Sequence, residues 1–167
     1  CGIKEKRIDL DSFIECAKYC DELIDDGTGT GTKEPRFVFD AVIGDLQDAD
    51  AVIAAIAATF RGFVVYSEGI YKIRLERAEL PTQEFIEGES IISNSIAISR
   101  SSRFETPNRV IVQFTDPVHW TTDQYTLDDD DDIRNRGLRD KTISFIGVKR
   151  RTQAARTANY IFDMLHL

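Results

Sequence analysis

Residues 100–117 read R-S-S-R-F-E-T-P-N-R-V-I-V-Q-F-T-D-P. Pro107-Asn108 is a turn signal, residues 109–115 form an apolar-rich strand, and Asp116-Pro117 closes it. No catalytic motif accompanies the strand. Arg100 and Arg103 bracket two serines ahead of it, and their guanidinium forks suit a phosphate, a carboxylate or acidic residues of another protein surface. The protein-contact reading is favoured for Arg100, Arg103 and Arg109.

Outward from this stretch, helices and short strands mix without regular βαβ alternation, which points to α+β. Residues 11–24 carry Phe13, Cys16, Ala17, Cys20, Leu23 and Ile24 at helical spacing. Ser12 and Glu15 have capping-box spacing, with Asp11 as the alternative cap. Residues 27–32 read as a flexible Gly-Thr linker and residues 36–43 as a strand. A second helix is expected over 48–61, lined by Val52, Ile53, Ile56, Ala57 and Phe60, with Gly62 as its C-cap. Residues 63–67 and 70–76 read as a hairpin turning at Glu68-Gly69, with Tyr71, Ile73 and Leu75 inward.

Residues 77–90 are a polar connector containing Pro81 and Gly88. Residues 91–99 alternate as a strand. Residues 116–140 resist assignment, and a loop of that length is functional, disordered or misread. Residues 141–146 read as a short strand and residues 152–165 as a third helix, striped by Ala155, Ala158, Phe162 and Leu165. The expected division is a helix plus strand–helix–hairpin unit over 1–80, a connector over 81–90, and a strand-rich unit over 91–167 ending in a helix. The sheets should be small and mixed or antiparallel.

Composition narrows the function. A net charge of −8 over 167 residues argues against a nonspecific nucleic-acid grip, which depends on Lys and Arg neutralising phosphates. No apolar run approaches membrane-spanning length and no signal peptide is visible. The first residue is Cys1 rather than Met, which reads as a segment of a longer protein. Three cysteines, an odd number in a chain this size, argue against a disulfide framework.

Each candidate for chemistry has a plainer explanation. If Asp128 opened an EF-hand loop, Ile133 would sit at the glycine position and Arg139 at the bidentate glutamate position, so the run Asp128, Asp129, Asp130, Asp131, Asp132 reads as a solvated loop. The Gly-Thr run ends in Thr32-Lys33 and follows a helix, unlike a phosphate loop. Cys16 and Cys20 lack two further zinc ligands nearby and belong to an apolar stripe. His119 lies near Asp116 without a nucleophile motif. Glu84, Glu87 and Glu89 are the clustered glutamates a cell-wall hydrolase would need, in a flexible context. Trp120 and Tyr125 could form a stacking platform in a glycan- or receptor-binding module. No cofactor or metal is expected. The clearest asymmetry is charge: the acidic run is followed by Arg134, Arg136 and other bases through Arg151. This suggests head-to-tail complementarity between copies in a ring.

Four segments, in order, resemble the hub region of lambda-type phage tail-tip (host-specificity) proteins. They are residues 13–23 ending Tyr19-Cys20-Asp21-Glu22; residues 36–43, leading to the Tyr66-Ser-Glu-Gly69 hairpin; residues 99–117; and residues 147–160, with Gln153-Ala154 entering the last helix. The resemblance implies a baseplate-hub component that is structural rather than catalytic, joining tail tube to fibre or spike parts around the DNA exit channel. It also implies a trimer in the assembled tail contacting neighbouring tail proteins, and residence in the virion tail after assembly in the host cytoplasm.

Overall fold

The computed structural model describes residues 3–44, 48–77, 79–97 and 105–166. Arg100 and Arg103 therefore lie outside the described residues. The fold is α+β, with four α-helices and three small sheets among the described residues.

After a 3₁₀ turn at Glu5–Arg7, helix α1 spans Leu10–Asp21. Its cap is Asp9, one turn earlier than the spacing of Ser12 and Glu15 suggests. The Asp9 carboxylate accepts from the Ser12 amide at 3.5 Å, and the Ser12 hydroxyl donates to the Asp9 carbonyl at 2.8 Å. That hydroxyl also accepts from the Ile73 amide at 3.2 Å, which ties the helix start to the hairpin below it.

The Gly-Thr run is not a linker. It closes a hairpin between β1 (Leu23–Asp25) and β2 (Lys33–Pro35). Gly27, Gly29 and Gly31 all take positive φ, and the hydroxyls of Thr28, Thr30 and Thr32 form a chain of 2.8 Å hydrogen bonds. Alternating glycines let the chain curl so that every threonine faces the same way.

Helix α2 (Ala49–Ala58) is capped by Asp48. Strands β3 (Gly62–Ser67) and β4 (Ile70–Leu75) then pair antiparallel about Glu68 and Gly69, at φ 54° and 82°, as a primed two-residue turn requires. Ile73 faces inward and is buried, as the alternation predicts. Gly62 does not cap α2. It lies in β3 against the Phe60 ring, where a Cβ would collide, and Arg61 takes the left-handed turn instead at φ 59°.

The main core lies in the second half. Strand β5 (Arg109–Thr115) is central in a mixed sheet, antiparallel to β6 (Thr122–Asp128) and parallel to β7 (Asp140–Ser144). Between β6 and β7 runs helix α3 (Asp130–Arg136), and the chain closes with α4 (Arg151–His166). Val110, Val112 and Phe114 point from β5 into a cluster with Val148, Ala154 and Ala158, all at most 4% exposed. Tyr125, Leu127, Ile161, Phe162 and Leu165 pack around it. The inward stripe of α4 begins at Ala154 rather than Ala155, and it carries two buried polar side chains, Gln153 and Thr157.

Three expectations are corrected. Residues 36–43 form no strand and pair with none among the described residues: Phe37 is buried while Val42 is 97% exposed. The described part of the expected strand over 91–99 is irregular, with a turn at Asn94 of φ 62° and Ile92 81% exposed. In both, apolar alternation favours an extended chain but supplies no ladder partner. The unassigned residues 116–140 contain β6 and α3, so the described residues hold four α-helices rather than three.

Cys16 and Cys20 are free and stacked one turn apart on α1. Burial is the main reason the Cys20 thiol is pushed up to about 12, with the neighbouring Cys16 adding to it. Thiolate is the reactive form, so alkylation of Cys20 at pH 8 should be at least about a hundredfold slower than that of a free cysteine peptide. Timed iodoacetamide labelling with peptide mapping checks this, and a rate near that of the free peptide would refute it.

Candidate interaction surfaces

The acidic run is built into the fold rather than splayed into water. The Asp129 carboxylate caps α3 by accepting from the Asp132 amide at 2.9 Å, and Asp130, Asp131 and Asp132 occupy the first turn. There the exposed amide dipoles favour negative charge, while Arg134 and Arg136 stand near the C-terminal end. Gly137, at φ 80°, ends the helix. The signal was present in the sequence as an Asp cap and a terminal glycine with seven residues between them, centred on Ile133 and obscured by the identity of the intervening aspartates.

Asp132 is 9% exposed and receives Arg136, Arg139 and the Asn108 side chain. Asn108 itself is fully buried. Its amide nitrogen donates to Asp132 at 2.9 Å and to the Gly137 carbonyl at 2.8 Å, and its side-chain oxygen accepts from the Arg139 amide at 2.7 Å. One residue thus joins the start of β5, both ends of α3 and the entry to β7. Sequence reading took Asn108 only as half of a turn signal.

Arg109 and Asp128 face each other across the β5–β6 register, with Nε and Nη2 donating to the two carboxylate oxygens at 2.7 Å each. The Arg109 hydrogen bond is the main cause holding the Asp128 carboxyl below its ordinary range. A depressed carboxyl stabilises the fold above its unfolded pKa and loses that contribution as pH falls through the folded one. Arg134 pairs with Asp131 on the exposed side of α3. Of the proposed contact residues, Arg109, Asp128, Asp131, Asp132, Arg134 and Arg136 therefore have partners within the chain, Asp129 is a cap, and Asp130 is exposed.

A second polar seam holds residues 33–40 against α4. Glu34 accepts from Arg156 at 2.5 Å and from the Thr152 hydroxyl at 2.7 Å, Arg156 also donates to the Arg36 carbonyl at 2.9 Å, and the Val38 amide donates to the buried Gln153 side chain at 3.0 Å. Arg61 lies 4.0 Å from the centre of the Tyr160 ring. Burial, followed by the Glu76 carboxylate, pushes the Tyr160 phenol up to about 12. These groups were not singled out from the sequence because their partners are distant in it, 115 to 122 residues away for the Val38, Arg36 and Glu34 contacts.

Asp116 organises the β5–β6 turn. Its carboxylate accepts from the Val118 amide at 2.8 Å and meets His119 Nδ1 at 2.6 Å, and these contacts, the amide first, hold its pKa down. At the tip Trp120 is 71% exposed, with Lys149 4.7 Å from its ring centre. Val118, Leu138 and Ile146 are exposed as well. Residues 79–97 are acidic. They carry Glu79, Glu84, Glu87 and Glu89 with no base, and expose Leu80, Phe85, Ile86, Ile92 and Ile96. Among the described residues no group of three or more His, Cys, Asp or Glu could hold a metal ion, and no helix is long and apolar enough to cross a membrane.

No protein-family profile matches the chain. It is 28% identical over 156 residues to the tip attachment protein J of Escherichia phage SECphi27, an alignment that covers 93% of this chain and 13% of that protein. The chain thus spans about an eighth of the length of the curated relative it matches, and over nearly all of its own length it is distantly similar to a phage tail-tip protein.

Proposed function

We propose that this chain is a structural segment of a phage or prophage tail tip, acting through protein contacts rather than catalysis. The observation that carries the reading is the continuous similarity over 93% of the chain to a tip attachment protein. The finer reading is a hub segment joining the tail tube to fibre or spike parts, trimeric in the assembled tail and surrounding the DNA exit channel. Its net charge of −8 suits a channel wall along which DNA slides without sticking. Arg100 and Arg103 serve contacts with a neighbouring subunit in this reading.

The test is localisation in assembled particles. An epitope inserted into the exposed 79–97 segment should place gold label at the tail end of purified virions, and label on the capsid or absence from particles would overturn the proposal.

A further inference from the structure

Strand β3 (Gly62–Ser67) reads G-F-V-V-Y-S and is the one strand among the described residues without a charged side chain. We infer that its free edge pairs antiparallel with β3 of a second copy, across a twofold axis at Val65, so that two hairpins join into one four-stranded sheet. The inference stands on this chain alone and does not use the tail-tip reading.

The hairpin register fixes which backbone groups face outward. The Arg61 carbonyl accepts from the Glu76 amide at 2.8 Å, one pair beyond Gly62 and Leu75, so the odd-numbered residues of β3 bond to β4. The amides and carbonyls of Gly62, Val64 and Tyr66 therefore point away from β4, and no strand lies on that side among the described residues. The outer edge of β4 is already used. Its Tyr71 carbonyl accepts from the Asp9 amide at 2.9 Å, and its Ile73 amide donates to the Ser12 hydroxyl at 3.2 Å. Pairing through β3 thus closes at two copies and does not propagate.

A two-stranded hairpin is stabilised by further strands, and an uncharged edge without proline is a template for one. The other edge strands carry the charges that discourage an added strand: Asp25 in β1, Lys33 and Glu34 in β2, Asp123 and Asp128 in β6, Asp140 and Lys141 in β7. In β3 the aromatic side chains Phe63 and Tyr66 are 51% and 56% exposed.

The sequence of β3 fits its own copy in one register. Antiparallel strands related by a twofold axis keep their faces, so residues of like parity meet and the axis falls on Val64 or Val65. With the axis on Val64, Tyr66 would land over Gly62 of the other copy, where the Phe60 ring already stands. With the axis on Val65, that residue meets itself, Val64 meets Tyr66, and Phe63 meets Ser67. Aromatic and β-branched side chains facing each other favour a sheet, and the nearest charge, Glu68, falls opposite Gly62. The outward groups of Val64 and Tyr66 then bond to each other across the axis.

Sedimentation velocity on the whole chain tests the inference. The wild-type chain should form a reversible dimer and no larger species. Val65→Lys and Val65→Glu each set like charges against each other at the axis and should weaken dimerisation at least about tenfold, with circular dichroism unchanged. Mixing the two variants should restore a dimer holding one of each, which requires a position that meets itself. Val65→Cys reads the register with a smaller change. Mild oxidation should link the new thiol to the same position of the second copy, because Cα atoms of such a non-hydrogen-bonded pair lie about 4.5 Å apart. Phe63→Cys, whose position meets Ser67, should not link to itself. A monomeric wild type, assembly beyond a dimer, no restoration on mixing, or an unlinked Val65→Cys chain would each overturn the pairing. Gold labelling at the tail end is unaffected by any of these, so the two readings fail separately.

Discussion

Replacing Asn108 by alanine should lower the unfolding free energy by about 3–4 kcal/mol, one of the two largest single-residue effects expected here. The side chain makes three hydrogen bonds from a fully buried position. Each such bond contributes about 1 kcal/mol net, and partners left buried without one add a further cost. Alanine would strand the Arg139 amide, leave the Gly137 carbonyl only the 3.4 Å contact from Arg139 Nη1, and take one donor from the buried Asp132 carboxylate. Asn108→Asp should be worse still, because its second oxygen would face Asp132 where an amide donates now. Urea unfolding checks this: the midpoint should fall with the slope unchanged. A loss below about 1 kcal/mol would mean that α3 and β7 do not depend on this residue.

The importance of Asn108 shows where sequence reading succeeds and where it stops. Strand β5, helices α1 and α2 and the β3–β4 hairpin were legible because their signals are local: apolar periodicity, a cap, and a glycine at the second turn position. The registers that failed depend on distant partners. The inward stripe of α4 was read from Ala155, whereas Gln153 is buried and its oxygen is taken by the Val38 amide across 115 residues of chain. Residues 36–43 and 91–97 share the alternation of true strands. Residues 36–40 spend their polar backbone on Gly147, Gln153 and Cys20 rather than on a ladder, and residues 91–97 make only the isolated Glu87–Ile91 bridge among the described residues. Helix α3 was hidden by five consecutive aspartates, which repel in isolation but serve here as a cap, a first turn and three ion-pair partners. The candidate contact residues were read as complementary between copies; within the chain, Arg109 and Asp128 lie opposite each other in the same sheet. Among the described residues, the acidic 79–97 segment stays exposed with its apolar side chains Leu80, Phe85, Ile86, Ile92 and Ile96.

Gly147→Val should destabilise by about 2–5 kcal/mol, and its effect should reach residues far away in sequence. Gly147 sits at φ 80°, a conformation costly for any residue with a Cβ and most costly for a β-branched one. A Cβ there would also stand 2.5 Å from the Phe39 ring. The Gly147 carbonyl accepts from the Asp40 amide at 2.9 Å, so the ring and the backbone bond together seat residues 37–40 against the turn that leads into α4. The ring cannot simply swing away without exposing the segment, whose neighbours Phe37 and Val38 are held by burial and by Gln153. Pairing Gly147→Val with Phe39→Ala separates the two causes. If the collision dominates, the double variant should recover most of the loss; if the backbone conformation dominates, it should recover almost none. Amide exchange gives the second readout: the Val38 and Asp40 amides should lose protection in Gly147→Val while those of β5 stay protected. Unchanged protection at Asp40 would show that Gly147 does not anchor the first half of the chain to the second.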